Sequence, residues 1–206
     1  MAIDLDAWLT RLFVLGIDDD FLDDPADSIA VITAFLRRPE RALADYTPEE
    51  VSSGLWHLAG NSELFLELYN QDVPLPERLA CASAIRELYR RLFEPHCAPV
   101  LGHAGAEGHE PLNSICYMWW DAFSTWGRPG DPAARPIDQA LLAVMRDTLS
   151  SPNEACVEGA LHGLGHWHVS YPREVEETVP AWLATRPEIS ESLYHYAHAA
   201  RLGRVL

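Results

Sequence analysis

The chain contains no lysine: all fifteen of its basic residues are arginine. They stand against 31 carboxylates, which gives a formal net charge of −16. A field of that sign repels nucleic-acid phosphates and anionic membrane surfaces, and it draws in cations and basic proteins. No apolar run approaches the length needed to span a bilayer. The start is acidic at Asp4 and Asp6, the wrong sign for a secretory leader. Cysteine is sparse, and Cys81, Cys97, Cys116 and Cys156 include no C-x-x-C pair of the zinc or redox type. A reduced cytoplasmic protein is expected, with its cysteines buried as small apolar groups. Nucleic-acid and membrane partners are not expected.

The 206 residues are 48% apolar and 22% charged, enough for one folded domain spanning 1–206. The abundance of Ala, Leu, Gly, Pro and Arg fits the codon bias of a GC-rich bacterial genome. Apolar residues recur at helical spacing in Leu5, Trp8, Leu9, Leu12 and Phe13, and predict a helix over 4–15. Helices are likewise predicted over about 25–38, from 48, around 64–69, over 76–93, from 111, and over 137–149, 152–167, 172–184 and 187–202. Loops rich in Pro, Gly and Asp are expected near 95–110 and 127–136. No segment alternates as a strand would, so the fold class is all-α.

Two helix starts share one logic. Thr47-Pro48-Glu49-Glu50 and Ser151-Pro152-Asn153-Glu154 each offer a hydroxyl cap, a proline and a capping-box glutamate. Val51, Leu55 and Leu58 then parallel Val157, Leu161 and Leu164, with a degenerate register. The stretch Ala155-Cys156-Val157-Glu158-Gly159-Ala160-Leu161-His162-Gly163-Leu164-Gly165, followed by Val179-Pro180-Ala181-Trp182-Leu183, resembles one HEAT-type repeat. The resemblance covers 151–184 well and 47–70 more loosely. It implies a short, irregular array of antiparallel helix pairs, an α-α superhelix with a concave binding surface. It implies no reaction.

Histidine is the most suggestive residue type. His162 and His166 share a helix face at i, i+4, and His195 and His198 share one at i, i+3. Helices two apart in such an array lie side by side, so the two pairs could converge on a metal ion. Against this, Gly163 stands where a zincin motif needs glutamate, and no Glu-x-x-His pair of the di-iron type is present. The favoured expectation is that these imidazoles hydrogen-bond across helix contacts or line the concave face, with no cofactor. Trp119 and Trp120 beside Asp121 form a second candidate, suited to a cationic group or a flat ring. HEAT-like DNA glycosylases use aromatics and an aspartate in that way, but the net charge disfavours DNA here. Cys97 beside His96, or Cys116 with a distant histidine, has no local support as a nucleophile and base. The segment from Gly102 to His109 lacks the Lys-Ser/Thr ending of a phosphate loop. Asp18 to Asp27 form an acidic stretch interrupted by Phe21 and Leu22, without the glycine and terminal glutamate of a calcium loop.

The leading functional expectation is therefore a non-catalytic module that binds a basic protein, such as an inhibitor or immunity protein, through an acidic, aromatic-lined surface. The main rival is a metal-dependent enzyme or metal-binding protein built on the histidines.

Overall fold

Helix starts in this chain are written in short polar side chains placed just ahead of the first turn. Asp4 accepts from the amides of Asp6 and Ala7, Asp24 from Ala26, Asn153 from Ala155 and Ser190 from Leu193. Thr47 and Glu50 form the reciprocal capping box expected from the sequence. Each such contact satisfies an amide that has no acceptor within its helix, worth about 1 kcal/mol.

The structure is a computed structural model that describes residues 4–15, 24–61, 63–103, 108–123 and 125–205. Among the described residues there are ten α-helices and no strand. They are α1 (Leu5–Thr10), α2 (Pro25–Leu36), α3 (Pro48–Trp56), α4 (Leu75–Glu87), α5 (Glu94–His96), α6 (Asn113–Ala122), α7 (Arg135–Thr148), α8 (Glu154–Trp167), α9 (Pro172–Leu183) and α10 (Glu191–Arg201). The chain is all-α, with one continuous apolar core running from Trp8 to Ala200, and is compatible with a helical-repeat fold. No helix is long and apolar enough to cross a membrane.

Several boundaries differ from the sequence reading. The helix expected from Pro152 begins two residues later, because Asn153 and not Ser151 takes the capping role. The Ser151 hydroxyl is engaged elsewhere, donating to Glu94 and accepting from the Asn153 amide. The last helix starts at Glu191 behind its Ser190 cap rather than at Pro187. The long helix expected to reach Phe93 loosens into a π turn over Leu88–Phe93, and Glu63–Tyr69 forms a 3-10 turn. Most of the acidic stretch lies outside the described residues. Of its members, Asp24 caps α2 and Asp27 sits in that helix's first turn.

α8 is the central element. It packs on α6 and α10, and also meets α7 and α9. Its residues from Ala155 to Gly165 are all buried. Two asparagines fix the chain that crosses its N-terminal end. Asn153 donates to the carbonyls of Glu94 and Cys97. Asn113 bonds both the amide and the carbonyl of Ala98, and also the amide of Glu110. These contacts pin the segment that leads to Gly102 and His103.

Candidate functional site

On α8, Glu158, His162 and His166 recur every fourth residue and so share one face. The neighbouring stripe carries Gly159 and Gly163. A Cβ on Gly159 would collide with the Cys116 carbonyl, and one on Gly163 would lie 2.5 Å from Trp120 Cγ. The absence of side chains there lets α6 lie directly against α8. That close seam brings Tyr117 and Asp121, one turn apart on α6, alongside the polar face of α8.

His166 Nε2 lies 3.2 Å from His162 Nε2 and 3.2 Å from Asp121 Oδ1. Among the described residues, these three form the one group of histidine, cysteine and acidic ligands whose donor atoms all lie within 4.8 Å of one another. His162 is fully buried, while His166 and Asp121 are partly open to solvent. Trp126, itself exposed, stacks on the His166 ring with centroids 4.9 Å apart and forms an outer wall.

The other ring nitrogen of His162 is also fixed. Its Nδ1 lies 2.6 Å from the Tyr196 hydroxyl of α10, which in turn sits 3.1 Å from the Tyr117 hydroxyl. With His162 Nδ1–H donating to Tyr196, the His162 Nε2 lone pair points at His166. Burial, and then the neighbouring His166, push the His162 pKa down to about 4. Burial likewise lowers that of His166, against the opposing pull of Asp121. Both imidazoles are thus neutral at neutral pH, the form that ligates metals. His166 Nε2 stands between an imidazole nitrogen and a carboxylate oxygen, 3.2 Å from each. Ligands of a four-coordinate ion with bonds near 2.0 Å stand about 3.3 Å apart, close to the two separations of 3.2 Å that His166 Nε2 makes with its neighbours.

Beside this cluster, Glu158 is a fully buried carboxylate with every near partner a donor. It accepts from the amides of Gly102 at 2.6 Å and His103 at 2.9 Å, and from His103 Nδ1. The His103 ring stacks on Tyr196, centroids 4.2 Å apart.

The residues singled out from sequence are distributed unevenly. His162, His166 and Asp121 come together. His195 and His198 do not join them. His195 is 71% exposed and approaches Glu191 at 3.6 Å, and His198 packs edge-on against Tyr194. Trp119 and Trp120 are fully buried, Trp119 edge-on to Phe65 and Trp120 stacked on Tyr89, so neither offers a ring face to a ligand. Cys97 and Cys116 are buried, and burial raises the Cys116 thiol well above its usual range, which makes it a poor nucleophile.

Four participants escaped the sequence reading as site residues: His103, Tyr117, Glu158 and Tyr196. For Glu158 the signal was present in its spacing from His162 and His166. The other three reach the site only through tertiary packing. No known protein family, no characterised protein and no solved structure matches the chain.

Proposed function

We propose that the chain is a metal-dependent protein that holds a divalent transition-metal ion through Asp121, His162 and His166. Two imidazoles and one carboxylate, with positions left for water and substrate, suit zinc or iron(II). The observation that carries this reading is the convergence of three ligand atoms within 4.8 Å from two tightly seamed helices. Tyr196, bonded to the far nitrogen of His162, supplies the outer support that metal-bound histidines generally have. An ion there would make its bound water acidic enough to yield hydroxide near neutral pH, which favours hydrolytic chemistry.

Elemental analysis of untagged protein tests it. The expected result is about one ion per chain, removed by a chelator and absent from His162→Ala and His166→Ala. Metal-free protein whose melting is unchanged by added Zn²⁺ or Fe²⁺ overturns it.

The net charge of −16 favours a second reading, a basic protein partner for an acidic HEAT-like scaffold, as in an inhibitor or immunity protein. The helix pair α8 and α9 coincides with the segment that carries the repeat resemblance. The four free, buried cysteines support a reducing cytoplasmic setting. A partner captured in this way should associate more slowly as salt rises, and salt-independent association counts against the reading.

A further inference from the structure

Glu158 and His103 make a pair whose outer end points at a hydroxyl. His103 Nε2 lies 3.2 Å from Ser192 Oγ in the first turn of α10, while Nδ1 of the same ring meets Glu158. Ser192 is exposed, the His103 side chain is 23% exposed and Glu158 is fully buried. Accessibility therefore falls in the order hydroxyl, imidazole, carboxylate. The same order holds along the relay of a serine hydrolase.

We infer that Ser192, His103 and Glu158 form a second reactive centre, a serine nucleophile with its base and orienting carboxylate, that hydrolyses small esters. The inference does not rest on the metal reading, since none of the three residues belongs to the cluster of Asp121, His162 and His166.

Each part has a physical reason. Glu158 is held by the amides of Gly102 and His103, so its carboxylate is fixed before it meets the imidazole. A carboxylate at Nδ1 selects the tautomer with the proton on that nitrogen, which leaves the Nε2 lone pair facing Ser192. The His103 ring is clamped on its flat side by Tyr196 and is not free to swing away. Oxyanion donors are close at hand. The amides of Glu191 and Ser192 stand in the first turn of an eleven-residue helix and have no acceptor within that helix. A cleft of about 360 Å³ that includes Val157, Trp182, Ile189 and Leu193, together with Glu154, Arg186 and Glu188, opens beside the start of α10, with Ser192 and His103 outside its lining.

The chemistry balances without a co-reactant other than water. Ser192 Oγ attacks the ester carbonyl as its proton passes to His103 Nε2. The tetrahedral adduct collapses, the C–O bond to the alcohol breaks, and His103 returns the proton to the departing alkoxide. Water then attacks the acyl-serine, giving up its proton to His103. Collapse of that second adduct releases the carboxylic acid and restores the serine hydroxyl. Glu158 is a positioning residue, acting through the imidazole.

The test uses the full chain with p-nitrophenyl acetate and butyrate, and with a fluorophosphonate that adds covalently to activated serines. The expected result is ester turnover, together with a phosphonate adduct mapped by mass spectrometry to Ser192. Ser192→Ala, an exposed substitution, loses both, with turnover down at least ~100-fold, and His103→Asn behaves alike. Glu158→Gln lowers kcat by about 1000-fold at unchanged KM, the sign of a lost tautomer rather than a lost binding surface. Absence of an adduct at Ser192, or full turnover in Ser192→Ala, overturns the proposal. Abolition of turnover by a chelator also overturns it and assigns the activity to the metal cluster. Turnover that survives the chelator and is lost in Ser192→Ala upholds this centre whatever the metal content proves to be.

Discussion

The Tyr196 hydroxyl lies 2.6 Å from Nδ1 of His162, a contact between α10 and the interior of α8 made where His162 has no exposure to water. With Nδ1 engaged in this way, Nε2 is the nitrogen left for a ligand. Tyr196→Phe should therefore weaken zinc binding by about 10–100-fold while leaving Asp121, His162 and His166 in place. Competition against a chromophoric chelator measures this. Affinity equal to wild type would detach Tyr196 from the site.

The buried histidine also gives the metal-free protein a signature in acid. The folded state holds His162 at about 4, whereas an unfolded histidine titrates near 6.5. Below about pH 6.5 the unfolded chain takes up a proton that the folded chain refuses. Stability therefore falls as pH drops from about 6.5 towards 4, by up to roughly 3 kcal/mol from this residue. Urea unfolding across that window should show a steeper loss for wild type than for His162→Gln. Parallel curves for the two proteins would refute the assignment.

The glycine seam predicts a paradoxical substitution. Ala is a better helix former than Gly by about 1 kcal/mol. At Gly163, however, the new methyl would press into Trp120, and Gly163→Ala should destabilise by about 1–3 kcal/mol. Gly130, with nothing within 4 Å of its would-be Cβ, is the control, and Gly130→Ala should stay within about 0.5 kcal/mol of wild type. Chemical denaturation of both variants decides it.

Away from the site, Asp138 is a fully buried carboxylate that accepts from the hydroxyls of Tyr69 and Tyr171, each at 2.6 Å, and from the Arg128 amide at 2.7 Å. Its removal strands three buried or half-buried donors at once. Asp138→Ala should cost about 3 kcal/mol or more, against about 1 kcal/mol for Tyr69→Phe, which loses one bond of the three. A comparable cost for the two variants would show that the carboxylate is not the hub.

The helices were largely legible from sequence because local patterns specify them. The capping box at Thr47 and Glu50 forms as its residues predict. The start of α8 was misplaced because Ser151 found a distant partner in Glu94, which no local rule reveals. The site was legible in part. The i, i+4 spacing of His162 and His166 pointed to a shared face, and Asp121 was singled out, though for a different role. That Asp121 lies beside His166 depends on how closely α6 approaches α8, a matter set by Gly159 and Gly163 in packing rather than in pattern. His195 and His198 look equally promising in sequence, but α10 turns its buried side, with Leu193, Tyr196, Ala197 and Ala200, towards the core.

The α6–α8 seam has a further consequence for selectivity. Its contacts, Gly159 against the Cys116 carbonyl and Gly163 against the Trp120 ring, leave no slack between the helix that supplies Asp121 and the one that supplies the two imidazoles. A site built on mobile loops would adjust to ions of many radii. Here the gap is a caliper set by the protein, so discrimination should follow ionic size and donor type: ions with bonds near 2 Å and a liking for imidazole suit the 3.2 Å separations about His166 Nε2, and Ca²⁺, which takes oxygen ligands at about 2.4 Å, should bind more weakly.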